Sequence, residues 1–405
     1  MRKLLQISST LNRGAIGVIA EHIGILAEQY GYESYIAHGA RYVKCSRLNT
    51  IKIGNKMSER MHALESYLFD RQGLGSKKPT FNLIKRIEEL QPDIVHIHNL
   101  HGYYINYQIL FKYLSEKNVP IVWTLHDCWG FTGHCAYFDL VGCEKWKKTC
   151  YKCDCKNDYP SSLLDNSYKN YHNKKHFFNL PTNMTLVPVS NWLGDLLNDS
   201  FLSGYPYKTI HNGIDLKVFF PCESNLRLKL GLNNNFVILG VANGFGIRKG
   251  LTDFIRLQSQ LDENFKIILI GVSESDLKKL PSSIIAIRHT ESTREMAEFY
   301  TMADVFVNPT YEDNYPTTNL EAIACGTPVI TYQTGGSPES ITTETGFVVN
   351  KGDIEALCDI ITNMKKEGKA NYNTKCREYA TSHFDMNSCF MEYIHLYESI
   401  LKSDV

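Results

Sequence analysis

The sequence predicts an α/β protein built from two doubly wound parallel sheets. Along all 405 residues, short apolar runs alternate with longer segments whose apolar residues recur at helical spacing. This alternation is typical of parallel sheets covered by helices. The length exceeds what one ordinary core accommodates and favours two domains. With 43% apolar and 12% aromatic residues, the chain can bury both cores.

The first half of the chain supplies the elements of one sheet. The segment IAEHIGILAEQYG has apolar residues at helical spacing and ends at Gly31, a residue type that commonly terminates helices. A second helical segment, FNLIKRIEELQ, stops at Pro92. The predicted strands around these helices are, in chain order, KLLQIS, DIVHIH, PIVWTLH and MTLVPVS.

The second half repeats this rhythm. Its predicted strands are NFVILGVA, KIILIGV, ADVFVNP, the PVI end of residues 311–330, and GFVVN. Its predicted helices are KGLTDFIRLQSQL, a segment that begins at the capping box Ser292-x-x-Glu295, and IEALCDIITNMKK. Turn signals between 190 and 222 separate the two series. We therefore predict domains at 1–195 and 196–385 that face each other across a cleft, with a helix at 386–405 returning to the first domain.

Charge is balanced over the whole chain but not along it. Up to Ser190 there are 24 Lys and Arg against 16 Asp and Glu, and beyond it 19 against 27. A basic first half suits an anionic substrate or lipid, and a solvated basic face is the simpler alternative. The start MRKLLQISST lacks the apolar core of a signal peptide, and no run reaches the ~18 apolar residues of a membrane span. We therefore expect a cytoplasmic protein.

Three strand-to-helix turns have the composition of phosphate-binding loops. Glycines let a ligand approach the backbone, and cations beside a helix N-terminus favour a diphosphate. An ordinary loop and a solvated pair of cations are the plain alternatives. The turns are NRGAIG with Gly14 and Gly17, VANGFGIRKG with Arg248 and Lys249, and TGGSPES with Gly335 and Gly336.

Histidines gather where strands of the first half end. HNLHG contains His98 and His101, and LHD contains His126 and Asp127. The carboxyl ends of parallel strands meet at the edge where such sheets bind ligands. A lone histidine is more often structural, but this grouping favours a functional role for His126.

The stretch YEDNYPTTNLEAIACGTPVI places Asp313 and Glu321 eight positions apart. The sequence Thr318-x-x-Glu321 matches a capping box, in which Glu321 satisfies a backbone N–H at a helix start. Asp313 would then turn the chain before Pro316. Taken by itself, the segment leaves open whether these carboxylates are structural or functional.

The motifs, in their order along the chain, resemble those of the retaining glycosyltransferases of family 4, which have the GT-B fold. Within that family, the likeness is greatest to enzymes that build bacterial capsule, colanic acid and other exopolysaccharides. It covers nearly the whole chain. The motifs are GAIG, PDIVHIHNLHGYY, VWTLHDCWGFTGHC, VSNW, HNGID, RKG, DNYPTTNLEAIACGTPVI and GGSPE.

The resemblance implies roles for individual residues. Glu321 would bind the ribose hydroxyls of the nucleotide, Lys249 the diphosphate and Asp313 the hydroxyls of the donor sugar. His126 would lie beside the transferred sugar. Asp313 stands where the family has glutamate, so the neighbouring Glu312 is an alternative.

Other positions follow from the same resemblance. The arginine expected five residues before Lys249 is replaced by Gly244, and whether Arg248 substitutes for it stays open. The remaining assignments are Arg248, Asn319, Gly17, Gly335 and Gly336 to the donor side, and Gly14, His98, His101 and Asp127 to the acceptor side.

The function that the resemblance implies is retaining transfer of a sugar from a nucleotide-sugar donor. The chain has no Asp-x-Asp motif, so we expect catalysis without a metal cofactor. The expected acceptor is a lipid-linked oligosaccharide at the inner membrane face, with peripheral membrane contact and no nucleic-acid partner. A nucleotide-sugar epimerase of the same fold and a non-catalytic glycan- or nucleotide-binding protein are the alternatives.

Half of the twelve cysteines fall between Cys128 and Cys155. Cytoplasmic thiols concentrated in this way suit metal ligands better than disulfides. We predict a structural zinc site in this insert, and free thiols in a loop are the alternative, because the spacings fit no standard zinc finger. The predicted ligands are Cys135, Cys143, Cys150 and Cys153, with Cys155 and His134 as substitutes.

Overall fold

The computed structural model describes residues 1–403, and the chain folds as two compact units. The first unit comprises residues 1–211 together with the chain from 390 onward, and the second comprises residues 212–389. Each unit contains one six-stranded sheet in which all neighbouring strands are parallel. The predicted α/β class with two doubly wound sheets is therefore confirmed.

The first sheet has the strand order β3-β2-β1-β4-β5-β6. The order reverses between β1 and β4, and ligands of such sheets bind at that reversal, beyond the carboxyl ends of the strands. Buried apolar side chains of β1 and β4, such as Leu4, Leu5 and Val95, form the centre of its core. The strands are β1 (Arg2–Ser8), β2 (Tyr32–His38), β3 (Asn49–Lys52), β4 (Ile94–Ile97), β5 (Ile121–Leu125) and β6 (Met184–Pro188).

Five helices connect these strands, and a sixth, α6, follows β6. α1 ends as predicted, with Gly31 just beyond it in the left-handed region (φ 84°). Between β5 and α5 the chain forms only two 3-10 turns, Cys128–Phe131 and Lys145–Lys147. The helices are α1 (Gly14–Gln29), α2 (Lys56–Phe69), α3 (Lys77–Leu90), α4 (Tyr107–Lys117), α5 (Ser167–Phe178) and α6 (Asn191–Asn198).

The second sheet has the order β12-β11-β10-β7-β8-β9. Read from β9, this is the order of the first sheet, with the reversal between β7 and β10. Both central strands are almost free of solvent contact, as Ile238 and Phe306 show. The strands are β7 (Phe236–Val241), β8 (Phe265–Ile270), β9 (Ile285–Ile287), β10 (Val305–Asn308), β11 (Val329–Tyr332) and β12 (Gly346–Val349).

Helices of the second unit follow the same pattern. Ser292 caps α10 as predicted, because its hydroxyl accepts a hydrogen bond from the Glu295 N–H at 3.1 Å. The helices, with the terminal one, are α7 (Leu226–Lys229), α8 (Leu251–Gln260), α9 (Glu274–Leu277), α10 (Thr293–Met302), α11 (Thr317–Ala324), α12 (Ile354–Glu367), α13 (Ala370–His383) and α14 (Met386–Ser403). A 3-10 turn covers Ser337–Ser340.

The boundary between the units lies later than the predicted 195–196. Residues 196–211 stay with the first unit because the chain after α6 runs alongside β6. The Leu186 N–H donates to the Pro206 carbonyl at 3.0 Å, and the Lys208 N–H donates to the Leu186 carbonyl at 3.1 Å. These bonds add the segment to the edge of the first sheet.

The terminal helix α14 begins in the second unit and belongs to the first from Phe390 onward. Its Tyr397 hydroxyl is hydrogen-bonded to His96 Nδ1 at 2.6 Å. Thr124 donates its hydroxyl proton to the Tyr393 hydroxyl oxygen at 3.1 Å. His96 and Thr124 of the first sheet thus each have a tyrosine of α14 as a hydrogen-bond partner.

No helix within residues 1–403 is both long enough and apolar enough to cross a bilayer.

Candidate active site

The loops after β7 and β10 meet at the strand reversal of the second sheet. The Arg248 carbonyl accepts hydrogen bonds from the Tyr311 N–H at 2.8 Å and from the Thr310 hydroxyl at 3.2 Å. Arg248 Nη1 donates in turn to the Glu312 carbonyl at 3.0 Å. Arg248 therefore fastens the two loops to each other, a position-holding role that the sequence did not indicate.

Lys249 and Asp313 form an ion pair at this junction. Lys249 Nζ donates to Asp313 Oδ2, and each side chain is 17% exposed. Glu312, the alternative carboxylate, is buried with 6% exposure. The structure therefore brings together Lys249 and Asp313, two of the residues predicted to hold the donor.

Gly250 makes this arrangement sterically feasible. It precedes α8 with φ 71°, and a Cβ atom there would lie 2.3 Å from the Pro309 carbonyl oxygen. Only glycine adopts this conformation and also permits so close an approach. Gly244, at the position of the expected family arginine, has φ 80° and donates its N–H to the Gly271 carbonyl at 2.9 Å.

The capping box predicted at Thr318 and Glu321 is wrong. The residue that precedes α11 is Pro316, and no side chain caps the helix. Since Pro316 lacks an N–H and has φ −71°, the helix starts at Thr317 and Glu321 falls on its second turn. There Glu321 Oε2 accepts a hydrogen bond from the Tyr300 hydroxyl at 2.9 Å.

Glu321 is partly buried beside α10 and is also hydrogen-bonded to Thr317. Burial raises the pKa of Glu321 to about 7, because a charged carboxylate loses solvation in this environment. A carboxyl group with so altered a pKa, on the helix that follows the loop of Asp313, is typical of a ligand-binding position.

Asn319 is fully buried in a network that holds the 3-10 turn after β11. Its amide nitrogen donates to the Ser337 and Ser340 hydroxyls, each at 3.1 Å, and its carbonyl oxygen accepts from Asn308 Nδ2 at 2.9 Å. This geometry is that of a residue that fixes the turn. Gly335, with φ 51°, and Gly336 lead into the same turn.

In the first unit, the predicted histidines form two hydrogen-bonded pairs. His98 Nδ1 lies 3.2 Å from His126 Nε2, and His98 Nε2 lies 3.0 Å from Gln6 Oε1. His101 Nε2 lies 2.7 Å from Asp127 Oδ2. The structure thus brings all four predicted residues to the ends of β4 and β5.

The partners of His98 fix the proton positions along the first pair. Gln6 Nε2 donates to the Ala20 carbonyl at 2.8 Å, so Gln6 Oε1 is the acceptor and His98 Nε2 carries a proton. His98 Nδ1 then accepts from His126 Nε2–H, which leaves His126 Nδ1 as an acceptor in the neutral ring. Burial lowers the pKa of His126 to about 4, so this neutral form holds at pH 7.

Asp127 anchors the turn that follows β5. Its Oδ1 accepts from the Trp129 N–H at 2.9 Å, and its other oxygen pairs with His101. Burial acts to raise the pKa of Asp127, but His101 and the Trp129 N–H outweigh it and hold the pKa below its usual range. His101 Nδ1 is bonded to the Tyr159 hydroxyl at 2.8 Å.

The two glycines of the first turn differ, because Gly14 adopts a left-handed backbone conformation and Gly17 permits close packing. Gly14 begins α1 with φ 67°, and a Cβ atom on Gly17 would lie 2.7 Å from Thr10 Oγ1. The loop 10–12 therefore lies directly against the start of α1.

Sequence reasoning missed His96, whose ring lies 4.1 Å from that of His98. His96 Nε2 is 2.8 Å from Thr124 Oγ1, and burial lowers its pKa to about 3. The alternation in DIVHIH could have indicated that His96 lies beside His98, since residues two apart on a strand share a face.

The cysteines of the insert converge only in part as predicted. Cys135 is hydrogen-bonded to Cys153 and to Cys155, and all twelve cysteines are free thiols. His134, a predicted substitute ligand, instead pairs its Nδ1 with Asp70 Oδ1 at 2.6 Å. Among residues 1–403, no three Cys, His, Asp or Glu side chains are already arranged as a metal site.

Comparison with known proteins shows which family the chain resembles. The profile described as Glycosyltransferase Family 4 matches residues 56–218, and that described as Glycosyl transferases group 1 matches residues 223–383. Together they account for most of the chain.

Individual relatives agree with these profiles. A protein of Escherichia coli K12 named as a colanic acid biosynthesis glycosyl transferase, WcaC, is 24% identical over 98% of this chain and 100% of its own length. The N,N'-diacetylbacillosaminyl-diphospho-undecaprenol alpha-1,3-N-acetylgalactosaminyltransferase of Campylobacter jejuni is 24% identical over 47% of this chain and 54% of its own length.

The solved structure of Anabaena HepE in complex with UDP-glucose has the same fold, with a TM-score of 0.65 and 15% identity. The match covers 98% of this chain and 100% of HepE. With two sheets of matching topology and both profiles in order, the chain belongs to the family 4 glycosyltransferases, enzymes with the GT-B fold.

Proposed function

We propose that this enzyme is a retaining, metal-independent transferase that moves a sugar from a nucleotide-sugar donor to a growing, lipid-linked bacterial surface glycan. The observation that carries the proposal is the Lys249–Asp313 pair at the strand reversal of the second sheet. A cation and a carboxylate held together there suit the two ends of one ligand, a diphosphate and a sugar.

The donor would bind to Lys249 and Asp313, which form an ion pair with each other in this structure. In the proposed complex, Lys249 moves from Asp313 to the diphosphate, and the start of α8 adds the positive end of its dipole. Asp313 accepts hydrogen bonds from hydroxyls of the sugar, and Glu321 accepts them from the ribose. Negative charge on the departing diphosphate is thus met by Lys249 and by backbone N–H groups, without a metal ion.

Retention is proposed from the likeness to retaining enzymes of the family. The acceptor oxygen attacks the anomeric carbon on the face that the diphosphate leaves, and a departing phosphate oxygen takes the acceptor proton. The bond between the anomeric carbon and the phosphate oxygen breaks as the new glycosidic bond forms. The products are the extended glycan and a nucleoside diphosphate. By the same likeness, His126 lies beside the transferred sugar in the proposed complex.

The lipid-linked acceptor is supported by the surface of α2 in the first unit. Met57, Met61 and Leu64 lie on one face of this helix and are 62%, 66% and 58% exposed. Exposed Lys56 and Arg60 flank them. Apolar side chains bordered by cations suit the interface of an anionic membrane. The undecaprenol-linked substrate in the name of the Campylobacter relative supports the same class of acceptor.

The test begins with a thermal-shift panel of nucleotide sugars. A donor at about 100 times its dissociation constant adds about 2.7 kcal/mol to stability, so the cognate compound stands out. The selected donor is then incubated with lipid-linked and with water-soluble glycans in the presence of EDTA. We expect nucleoside diphosphate to be released only with the lipid-linked acceptor, and NMR of the product to show the anomeric configuration of the donor.

Other outcomes would contradict the proposal. An epimerase would convert the nucleotide sugar without an acceptor, and a binding protein would shift in melting temperature without any sugar transfer. Loss of activity in EDTA that magnesium restores would exclude a metal-independent reaction.

Glu321→Gln should separate donor binding from stability. The change weakens a charge-assisted hydrogen bond to ribose by about 1 to 2 kcal/mol, which is about 5- to 30-fold in affinity. Calorimetric titration of wild type and variant with the selected donor at pH 8 measures this. Unchanged affinity would exclude Glu321 from the ribose site.

The same variant should alter the dependence of stability on pH. The folded pKa of Glu321 is about 7 against an ordinary value of 4.5, so the folded state retains a proton that the unfolded state loses in that window. Wild-type stability therefore falls as the pH rises from about 4.5 to 7, and the uncharged glutamine avoids this loss. We expect Glu321→Gln to gain about 1 to 3 kcal/mol relative to wild type between pH 5 and pH 8, measured by urea unfolding without ligand.

His126→Ala should lower turnover without weakening donor binding. His126 belongs to the first unit and the proposed nucleotide contacts belong to the second, so we expect a loss in kcat of about 10- to 100-fold with an unchanged nucleotide dissociation constant. The measurement pairs steady-state kinetics with calorimetric titration of the nucleoside diphosphate. Equal losses in kcat and in nucleotide affinity would indicate a general structural role for His126 instead.

A further inference from the structure

The first unit contains a polar cavity that includes none of the predicted site residues. Its volume is about 520 Å³, and ligand pockets in proteins have volumes of about 300 to 1,000 Å³. The end of α2 and the starts of α4 and α5 surround it. Four of the residues that line it carry side-chain amides, namely Gln108, Asn166, Asn170 and Asn173.

The cavity lies on the same side of the first sheet as the predicted acceptor residues. A helix that follows a strand of a parallel sheet begins beyond the carboxyl end of that strand, and Gln108 is the second residue of α4. The ring of the preceding residue, Tyr107, lies 6.0 Å from that of Trp129, which lies 5.7 Å from that of His101. Two ring contacts therefore connect the wall of the cavity with His101.

Hydrogen bonds hold the walls of the cavity together without a ligand. Asn166 Nδ2 donates to the Phe69 carbonyl at 2.8 Å, and Asn170 Nδ2 donates to the Asp70 carbonyl at 2.7 Å. These two bonds join the start of α5 to the end of α2. The cavity is therefore largely pre-formed, as ligand pockets usually are.

The other two amides have hydrogen-bonding capacity to offer a ligand. The side chains of Gln108 and Asn173 are half-buried, and within residues 1–403 neither makes a hydrogen bond to another residue. An amide group has two N–H donors and a carbonyl acceptor. A ligand in the cavity can therefore both donate to these side chains and accept from them.

The helix starts beside the cavity already have partners in the chain, which argues against a phosphate ligand. At the start of α5, the Ser167 N–H donates to Asp165 Oδ1 at 2.9 Å. At the start of α4, the Ile109 N–H donates to Asn106 Oδ1 at 3.0 Å. Phosphate sites at helix N-termini depend on N–H groups of this kind.

The charged groups of the cavity also favour a neutral ligand. Arg71 Nε lies 2.9 Å from Glu65 Oε1, so the charge of this arginine is offset within the chain. Lys169 is exposed, whereas the Asp70 carboxylate is buried and accepts from the Asn166 N–H at 2.8 Å. The cavity thus combines amides with few available charges.

We propose that this cavity binds one sugar unit of the acceptor glycan, away from the end that the enzyme extends. Sugar hydroxyls donate and accept hydrogen bonds, as the amides of Gln108 and Asn173 do. The ring of Phe69, a lining residue that is 49% exposed, offers an apolar surface to the C–H face of a sugar. The inference rests on the proposed transfer to a glycan, and it adds a site that only an acceptor of several sugars reaches.

The experiment measures oligosaccharide binding in the absence of donor and lipid. The probes are oligosaccharides of increasing length, prepared by partial hydrolysis of the surface polysaccharide of the source organism. They are titrated into the full-length protein and followed by saturation-transfer NMR. The double variant Gln108→Ala, Asn173→Ala should bind them about 10-fold or more weakly, because each neutral hydrogen bond contributes about 2- to 10-fold.

Two controls keep the comparison within the same helices. Lys112→Ala on α4 and Lys175→Ala on α5 change exposed residues that do not line the cavity, and both should bind the oligosaccharides as the wild type does. Thermal unfolding of the double variant should match that of the wild type, since Gln108 and Asn173 have no side-chain hydrogen bond within residues 1–403 to lose.

The outcomes separate this site from the proposed function. Equal affinity in the wild type and the double variant, or no binding at all, would overturn the sugar site even if transfer occurs. Binding that the double variant loses, in a protein without transferase activity, would support the sugar site and contradict the proposed function alone. Binding of inorganic phosphate that Lys169→Ala abolishes would show an anion site and would overturn the proposal.

Discussion

Lys249→Ala is expected to lower kcat by about 100-fold or more while the protein stays folded. The lysine neutralises charge that grows on the diphosphate as the sugar departs, and preorganised donors of this kind contribute about 3 to 4 kcal/mol to the transition state. Within residues 1–403, the Lys249 ammonium group pairs with the Asp313 carboxylate. The variant therefore leaves a partly exposed carboxylate that water can solvate, and the free energy of unfolding should change by no more than about 1 kcal/mol.

The measurement compares steady-state kinetics and thermal unfolding for Lys249→Ala, Lys249→Arg and the control Lys278→Ala. Lys278 is an exposed lysine in the same unit, so the control removes a cation without removing the proposed contact. We expect partial activity from the arginine variant and full activity from the control. Wild-type rates in Lys249→Ala would exclude the lysine from catalysis and remove the main support for the proposed donor site.

Gly250→Ala is expected to destabilise the second unit by about 3 kcal/mol or more and to abolish donor binding. The added Cβ atom would lie 2.3 Å from the Pro309 carbonyl oxygen, at a residue with φ 71°. Left-handed conformation alone costs a residue with a side chain about 1 to 2 kcal/mol. The clash with the Pro309 carbonyl oxygen adds to this conformational cost. If the backbone moves to relieve the clash, the loop with Lys249 separates from the loop with Asp313.

Gly231→Ala is the matched control for this change. Gly231 has nearly the same backbone conformation, φ 70°, but no atom lies within 4 Å of a Cβ atom built there. The control should therefore lose only the conformational part, about 1 to 2 kcal/mol, and should bind donor normally. Urea unfolding and calorimetric titration of both variants test the difference, and equal losses would show that the contact with Pro309 is unimportant.

The parts of the fold that could be predicted are those that burial determines directly. Central parallel strands such as β1, β5 and β7 are apolar runs because both faces are covered. The four residues of edge strand β3 are mostly exposed, and β2 contains Glu33, Ser34 and His38 in place of an apolar run. Neither strand therefore had the composition from which it could be assigned.

The candidate site shows the same limit at the level of single residues. Lys249 and His126 could be named because each follows a predicted strand, and Asp313 because its segment resembles a motif of the family. The partner of Glu321 could not be named, because the Tyr300 hydroxyl belongs to another helix. The apparent capping box indicated a local partner instead. The shared strand order of the two sheets was equally invisible, since topology is preserved here without a detectable repeat in sequence.

The position of α14 affects how the protein is made. The first unit is not a continuous stretch of chain, because Tyr393 and Tyr397 complete it from the far end. A ribosome must synthesise the whole second unit before those tyrosines emerge, a delay of about ten seconds or more at ordinary elongation rates. During that time, Thr124 and His96 lack these tyrosine partners on the nascent first sheet. The first unit is therefore completed by a segment that is synthesised only after the whole second unit.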